Sequence, residues 1–274
     1  MFLTDEKTDE LLTQVLEIAR AAGQQILSVA PDSLDVSTKV DRTPVCRADM
    51  AAHKAILGGL QALQLDLPVI SEESEDISFK ERTGWADYWL VDPLDGTWGF
   101  LQGTDQFTVN IALIHNDQPV LGVIVAPKLN VAYFAAKNHG AYKQLGDSEP
   151  KAIHVRSVDE SDITVACSGP AKVGSKFEEF LNSLGQHSEV AAGAALKSCL
   201  VAEGAADVYV RLGPTGEWDT AAAQIIVKEA GGHVTDTDMQ ELRYNTKESL
   251  TNPHFVVFGD TRVDWSKFLP KDTA

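Results

Sequence analysis

Lysine and arginine are scarce in this chain: 23 of them stand against 40 aspartates and glutamates, a formal net charge of −17 over 274 residues. No basic stripe is present. So acidic a surface repels nucleic acid and anionic lipid, which are held by clustered Lys and Arg. A nucleic-acid polymer is therefore excluded as a partner, whereas a small anion is admissible where bound cations reverse the field locally. Cysteine is nearly missing too. Cys46, Cys167 and Cys199 are an odd number, far apart and without a C-x-x-C pair, as expected of reduced thiols and not of a disulfide framework. The histidines form no H-x-x-H or H-E-x-x-H pattern, which argues against zinc. No apolar run approaches the roughly 18 residues of a transmembrane segment. The first thirty residues lack the basic start and apolar core of a signal peptide. These absences predict a cytoplasmic protein, with peripheral association at the inner membrane left open.

What is present suits a globular fold. Hydrophobic residues make up 44% and charged ones 23%, ordinary values for one large domain or two smaller ones. Over residues 5–30, Leu11, Val15, Ile18, Ala22 and Ile26 recur at three- and four-residue steps, with acids in the first turn and Pro31 beyond the end. That pattern predicts a long helix. Residues 47–63 repeat it with Ile56, Leu60 and Leu63. Short apolar runs at 67–70 and 88–91 each end in acids, with a loop or short helix between them. From Phe107 the period changes: "FTVNIALI", "PVLGVIVAP", "VAYFAAK" and "AYKQL", separated by turn clusters, predict an antiparallel meander. The polar stretch "GDSEP" (146–150) is the expected boundary. Beyond it, strands ("DITVACS", "DVYVRL", "HFVVFGD") mix with helices ("SKFEEFLNSLG", "AALKSCLVAEGAA", "WDTAAAQIIVKEAGG"). The expected division is an N-terminal α+β subdomain, residues 1–150, and a C-terminal α/β subdomain, residues 151–274, sharing one cleft.

Three acidic spots interrupt this scaffold: "SEES" (71–74), "DPLDGT" (92–97) and "EWDTA" (217–221). Each has a plain explanation. "DPLDG" is good turn chemistry, Asp219 can cap the helix it opens, and "SEES" can be a solvated loop. The chemical alternative is equally physical. Pro93 fixes its own φ and keeps Asp92 extended, so a sharp turn brings Asp95 back beside Asp92. With the Leu94 carbonyl between them, the donors are all oxygen, suited to Mg²⁺ or Mn²⁺. Gly96 and Thr97 then open a segment whose N–H groups can hold a phosphate oxygen. Spacing alone leaves both readings open, and it does not bring Glu72, Asp92 and Asp219 together.

"SEES", "DPLDGT" after an apolar strand, and "WDTAAAQIIVKEAGG", in that order over nearly the whole chain, resemble the inositol monophosphatase superfamily of Mg²⁺-dependent, lithium-sensitive phosphatases. Within it, "FTVNIAL", "PVLGVIVAP" and "LKSCLVAEGAADVYVRLGPTGEWDTAA" are most similar to the bacterial 3'(2'),5'-bisphosphate nucleotidases of the CysQ type. These serve sulfur metabolism by removing the 3'-phosphate of adenosine 3',5'-bisphosphate to leave AMP. The resemblance implies a mixed α+β and α/β fold, layered α-β-α-β-α. It implies a small phosphorylated substrate, a monomer or homodimer, and two or three Mg²⁺ ions, with Mn²⁺ as a substitute. As metal ligands it implies Glu72, Asp92, the Leu94 carbonyl, Asp95 and Asp219, with Glu73 behind them. Asp49 and Thr97 match the pair that orients the attacking water. Gly96, Thr97, Lys197 and Arg211 match substrate-binding positions. Four departures stand out. "DGTWGF" replaces the usual "DGTKEF"; "GAALK" lacks a serine hydroxyl at Ala194; "CSGP" (167–170) lacks the Arg and His of Ser-Arg-Ser-His; and Cys46 stands where Thr is usual. None touches the proposed metal ligands, so they bear on substrate choice. An inositol phosphate or sugar phosphate is the alternative substrate, and a phosphate-binding module without turnover is the alternative class.

Overall fold

The computed structural model describes residues 5–29, 37–38, 44–45, 47–74, 77–159 and 161–270; Pro31 and Cys46 lie outside the described residues. Helix α1 (Asp5–Ser28) carries Asp5 and Glu6 in its first turn, complementing the positive end of the helix dipole. Its Leu11, Leu12, Val15, Ala19, Ala22 and Ile26 form one buried stripe. Helix α2 (Arg47–Ala62) lays Ala48, Ala52, Ile56 and Leu60 beside that stripe. A two-residue ladder, β1 (Ser37–Thr38) with β2 (Pro44–Val45), lies between them in sequence.

The main sheet takes its strands in chain order: β3 (Val69–Ser71), β4 (Asp87–Asp95), β5 (Thr108–His115), β6 (Gln118–Ala126), β7 (Val131–Ala136), β8 (Ala141–Leu145) and β9 (Lys151–Ile153). Only β3 and β4 pair in parallel, joined through the short helix α3 (Phe79–Arg82). The expected meander is therefore present, with short turns favouring antiparallel neighbours. The stretch 146–150, expected as a boundary, joins two strands of this sheet, and the chain leaves it only after Ile153. Side chains along each strand alternate between two covered faces. Trp89, Val91, Val109, Ile111 and Val123 pack against α1 and α2. Tyr88, Leu90, Ala112, Ile114 and Ile124 face the other way.

That second face meets α6 (Leu196–Ala202) and α7 (Ala221–Glu229), whose apolar side chains also touch a second sheet. Its order is β11 (His187–Ala191), β10 (Ile163–Cys167), β12 (Val208–Arg211), β14 (Phe255–Phe258) and β13 (His233–Asp236). Helix α5 (Lys176–Leu184) and a turn at Trp265–Phe268 cover its outer face through Phe180, Leu181 and Trp265. The layers run α-β-α-β-α, as expected. The fit of the middle layer is close: a Cβ at Gly122 of β6 would lie 2.6 Å from the Ala222 carbonyl oxygen of α7. Strands β9, β11 and β13 had no counterpart among the expected elements. β11 is an edge strand with mostly exposed side chains, so it carries no apolar alternation to read. No helix among the described residues is long and apolar enough to cross a membrane.

Candidate active site

The site begins with an irregularity in β4. Asp92 pairs with Asn110 and the next pairing is Asp95 with Thr108, so three steps on one strand oppose two on the other. The extra residue is a β-bulge, and Pro93, which has no N–H to offer the ladder, is tolerated there. This corrects the expected sharp turn: the strand continues through the motif. In a regular strand residues three apart point to opposite faces. The extra residue reverses that parity. Leu94 accordingly joins Trp89 and Val91 on the helix side, while Asp92 and Asp95 both turn to the other face. The Leu94 N–H donates to Asp92 Oδ1 at 3.0 Å, which fixes the first carboxylate.

Parallel pairing of β3 with β4 puts the acids after β3 alongside, and the Glu72 N–H donates to the Val91 carbonyl at 3.1 Å. Asp219 arrives at the end of a tight turn, Glu217–Asp219, just before α7. Its carboxylate accepts the Gly216 N–H at 2.9 Å and so closes the turn that leads to it; the cap position of α7 is Thr220, so Asp219 does not cap that helix as expected. Glu72, Asp92 and Asp219 each bring a carboxylate oxygen within 4.8 Å of the others. Asp95 does not join this trio. Its Oδ2 accepts from Asn110 Nδ2 at 3.3 Å and Thr108 Oγ1 at 3.5 Å.

Gly96 follows at φ 91°, a left-handed conformation that suits glycine, and starts α4 (Thr97–Leu101). Thr97 Oγ1 lies 3.2 Å from Asp49 Oδ1 and 3.1 Å from the Leu94 carbonyl oxygen. Asp49, in the first turn of α2, is buried. The structure thus joins Asp49 and Thr97, 48 positions apart, directly to the bulge.

Burial together with the charges of Glu72, Asp95 and Asp219 raises the Asp92 carboxyl well above the ordinary range. Burial, then Asp95 and Glu72, push Asp219 up to about 8. Asp95 is raised by burial too, but Lys197, Asn110 and Arg211 pull against it. The donors are carboxylates with a backbone carbonyl beside them, and they repel one another as they stand. Both facts fit a hard divalent cation. A carboxyl whose folded pKa is raised stabilises the fold below its unfolded pKa, and that contribution is lost as pH rises through the folded value. The chelator-treated protein is therefore expected to lose melting temperature between about pH 4 and 8 by calorimetry, the interval in which the unfolded chain has released the Asp219 proton and the folded one still holds it. Asp219→Asn should flatten that slope; an equal slope in both proteins would contradict the coupling.

Beside the trio opens a cavity of about 500 Å³ reached by Asp95, Asp219, Lys197 and Arg211. Lys197 is only 5% exposed; its Nζ donates to the Ala194 carbonyl at 2.8 Å and lies over the Tyr209 ring. It therefore holds the 192–194 turn as well as lining the cavity. Ala194, which lacks the expected hydroxyl, sits there at φ 50°. Arg211 donates through Nη2 to the Pro214 carbonyl at 3.2 Å, while its Nε is buried without an acceptor. Two residues escaped sequence reasoning: Thr108 and Asn110, buried on β5 beneath Asp95. The signal was available, since an asparagine inside "FTVNIALI" is a polar break in an apolar strand.

A model of the inositol monophosphatase family matches residues 7–260. A Haemophilus influenzae protein named 3'(2'),5'-bisphosphate nucleotidase CysQ is 41% identical over 258 residues, covering 94% of this chain and 96% of the relative. The Escherichia coli K12 protein of that name is 43% identical over 249 residues, 90% and 99% of the two chains. Among solved structures, CysQ from Bacteroides thetaiotaomicron superposes with a TM-score of 0.79 at 36% identity, covering 91% of this chain and 97% of its own. The extragenic suppressor protein suhB from Bartonella henselae gives 0.78 at 26%, over 96% and 99%.

Proposed function

The chain belongs to the inositol monophosphatase family, and from that premise we propose that it is a Mg²⁺-dependent phosphomonoesterase. In this reading it hydrolyses the 3'-phosphate of adenosine 3',5'-bisphosphate to AMP and phosphate. The observation that carries it is the convergence of Glu72, Asp92 and Asp219 within 4.8 Å, beside a cavity holding two cations in a chain of net charge −17. The names of relatives more than 40% identical favour the nucleotide over an inositol phosphate.

In this reading Glu72, Asp92, Asp219 and the Leu94 carbonyl would hold Mg²⁺, with Asp95 completing the set from the end of β4, where Thr108 and Asn110 of β5 donate to it. Bound Mg²⁺ supplies Lewis acidity toward the phosphoryl group, eases departure of the ribose oxygen and makes water a better nucleophile. The remaining work falls to side chains and amides. When Thr97 Oγ1 commits its proton to Asp49 Oδ1, its lone pairs face outward and fix the direction of a water's O–H. Amides at Gly96 and Thr97, at a helix start with no carbonyl one turn back, suit the phosphoryl oxygens. The part up to about residue 150 supplies most of the proposed ligands. The rest supplies Asp219, Lys197 and Arg211.

Phosphate release should appear with Mg²⁺ and adenosine 3',5'-bisphosphate, disappear in excess chelator, and fall on adding Li⁺ or Ca²⁺. Ca²⁺ takes the same oxygens at longer, looser geometry. Activity that survives chelation would end the metal reading. A clear preference for inositol 1-phosphate would leave a phosphatase with a different substrate.

The buried, unbonded Nε of Arg211 suits the phosphate that is not cleaved. Such a contact binds ground and transition states alike, so Arg211→Ala should raise KM for the bisphosphate roughly 10- to 150-fold and leave kcat little changed. Steady-state kinetics with inositol 1-phosphate as the control, which has no second phosphate to lose, checks this.

A further inference from the structure

Trp98 is the one aromatic side chain of the described residues that is both large and well exposed, at 66%. A single exposed apolar residue needs no explanation by itself; its location and its anchoring give this one meaning. It follows Thr97 directly in α4 and lines the same cavity as Lys197 and Arg211. The element carrying it is fixed. Phe100 meets Phe107 edge-on at 5.0 Å, and the Thr104 N–H donates to the Gly99 carbonyl at 2.9 Å. A Cβ at Gly99 would come within 2.7 Å of Thr104 Oγ1, so glycine there lets the turn close tightly behind the indole.

The lining of the cavity combines two chemistries: Asp95, Asp219, Lys197 and Arg211 are charged, whereas Trp98, with Gln102 and Thr104, adds an aromatic face and an amide. A phosphomonoester without a base would use only the charged groups. Resting on the nucleotidase reading above, we propose that Trp98 is the stacking platform for the substrate's purine base, so that base recognition lies at the position where this chain reads "DGTWGF". Indole offers the broadest π-face among the side chains, and stacking on it tolerates any purine while rejecting base-free phosphates.

The test compares Trp98→Ala and Trp98→Phe with the wild type. With Mg²⁺, Trp98→Ala should raise KM for adenosine 3',5'-bisphosphate roughly 10- to 100-fold, with kcat within about twofold. Inhibition by AMP should weaken in parallel, inhibition by ribose 5-phosphate should not change, and Trp98→Phe should restore most of the affinity. Fluorescence quenching by AMP should also be lost with the indole. Equal weakening of AMP and ribose 5-phosphate, or no effect on either, overturns the stacking role while normal wild-type turnover preserves the nucleotidase reading. A wild-type enzyme inactive on the bisphosphate but active on base-free esters overturns both.

Discussion

Asp92→Asn is expected to leave no measurable phosphate release and yet to hold or raise the melting temperature of the metal-free protein. Asp92 is 1% exposed and shares its space with two other carboxylates. Burial and those neighbours are what push its proton affinity up. Removing one charge relieves repulsion, by up to about 1–2 kcal/mol, and an asparagine oxygen can still accept the Leu94 N–H that the native side chain accepts. Calorimetry in chelator, set beside a phosphate-release assay, separates the two effects. A variant that is both inactive and much less stable would assign the aspartate to the bulge alone.

The second large effect is expected at the Asp49–Thr97 pair. Neither residue belongs to the carboxylate trio, so Mg²⁺ binding should survive their replacement, as titration calorimetry would read. Thr97→Ala and Asp49→Asn should each lower kcat by about 10²- to 10⁴-fold with KM little changed, the scale of a positioned proton-transfer group. Because Asp49 is proposed to act only through the Thr97 hydroxyl, the double variant should be no slower than the worse single one. Additive losses would show two independent roles. A rise in KM alone would make the threonine a binding residue.

Much of this was legible before any coordinates. The helices α1 and α2 and the strands β5 to β8 follow from periodicity, because one or both faces of each are packed against apolar neighbours. The elements that went unread are short or lie at an edge, such as β11, where no face is buried enough to impose a pattern. At the site, the acidic motifs could be picked out singly. Their meeting could not, because it depends on a parallel β3–β4 pairing and on a turn some 120 positions further along. The bulge was missed for a different reason. Asp-Pro-Leu-Asp-Gly has the composition of a turn, and only the partner strand decides that it is a strand with one residue too many. Asp95's preference for Asn110 over the trio was equally invisible, since its partner belongs to another strand.

The shared middle layer has a mechanical consequence. The apolar side chains of α6 and α7 share one buried cluster with those of both sheets, and Gly122 lets α7 nearly touch the main sheet. Swinging one sheet away from the other would have to wet that layer on both sides, at a large hydrophobic cost. The wall that carries Asp92, Asp219 and Lys197 therefore behaves as an anvil and not as a pair of jaws. Whatever yields as a substrate enters has to be thin: side chains at the rim and the short connections around it, moving against a surface that stays where folding put it.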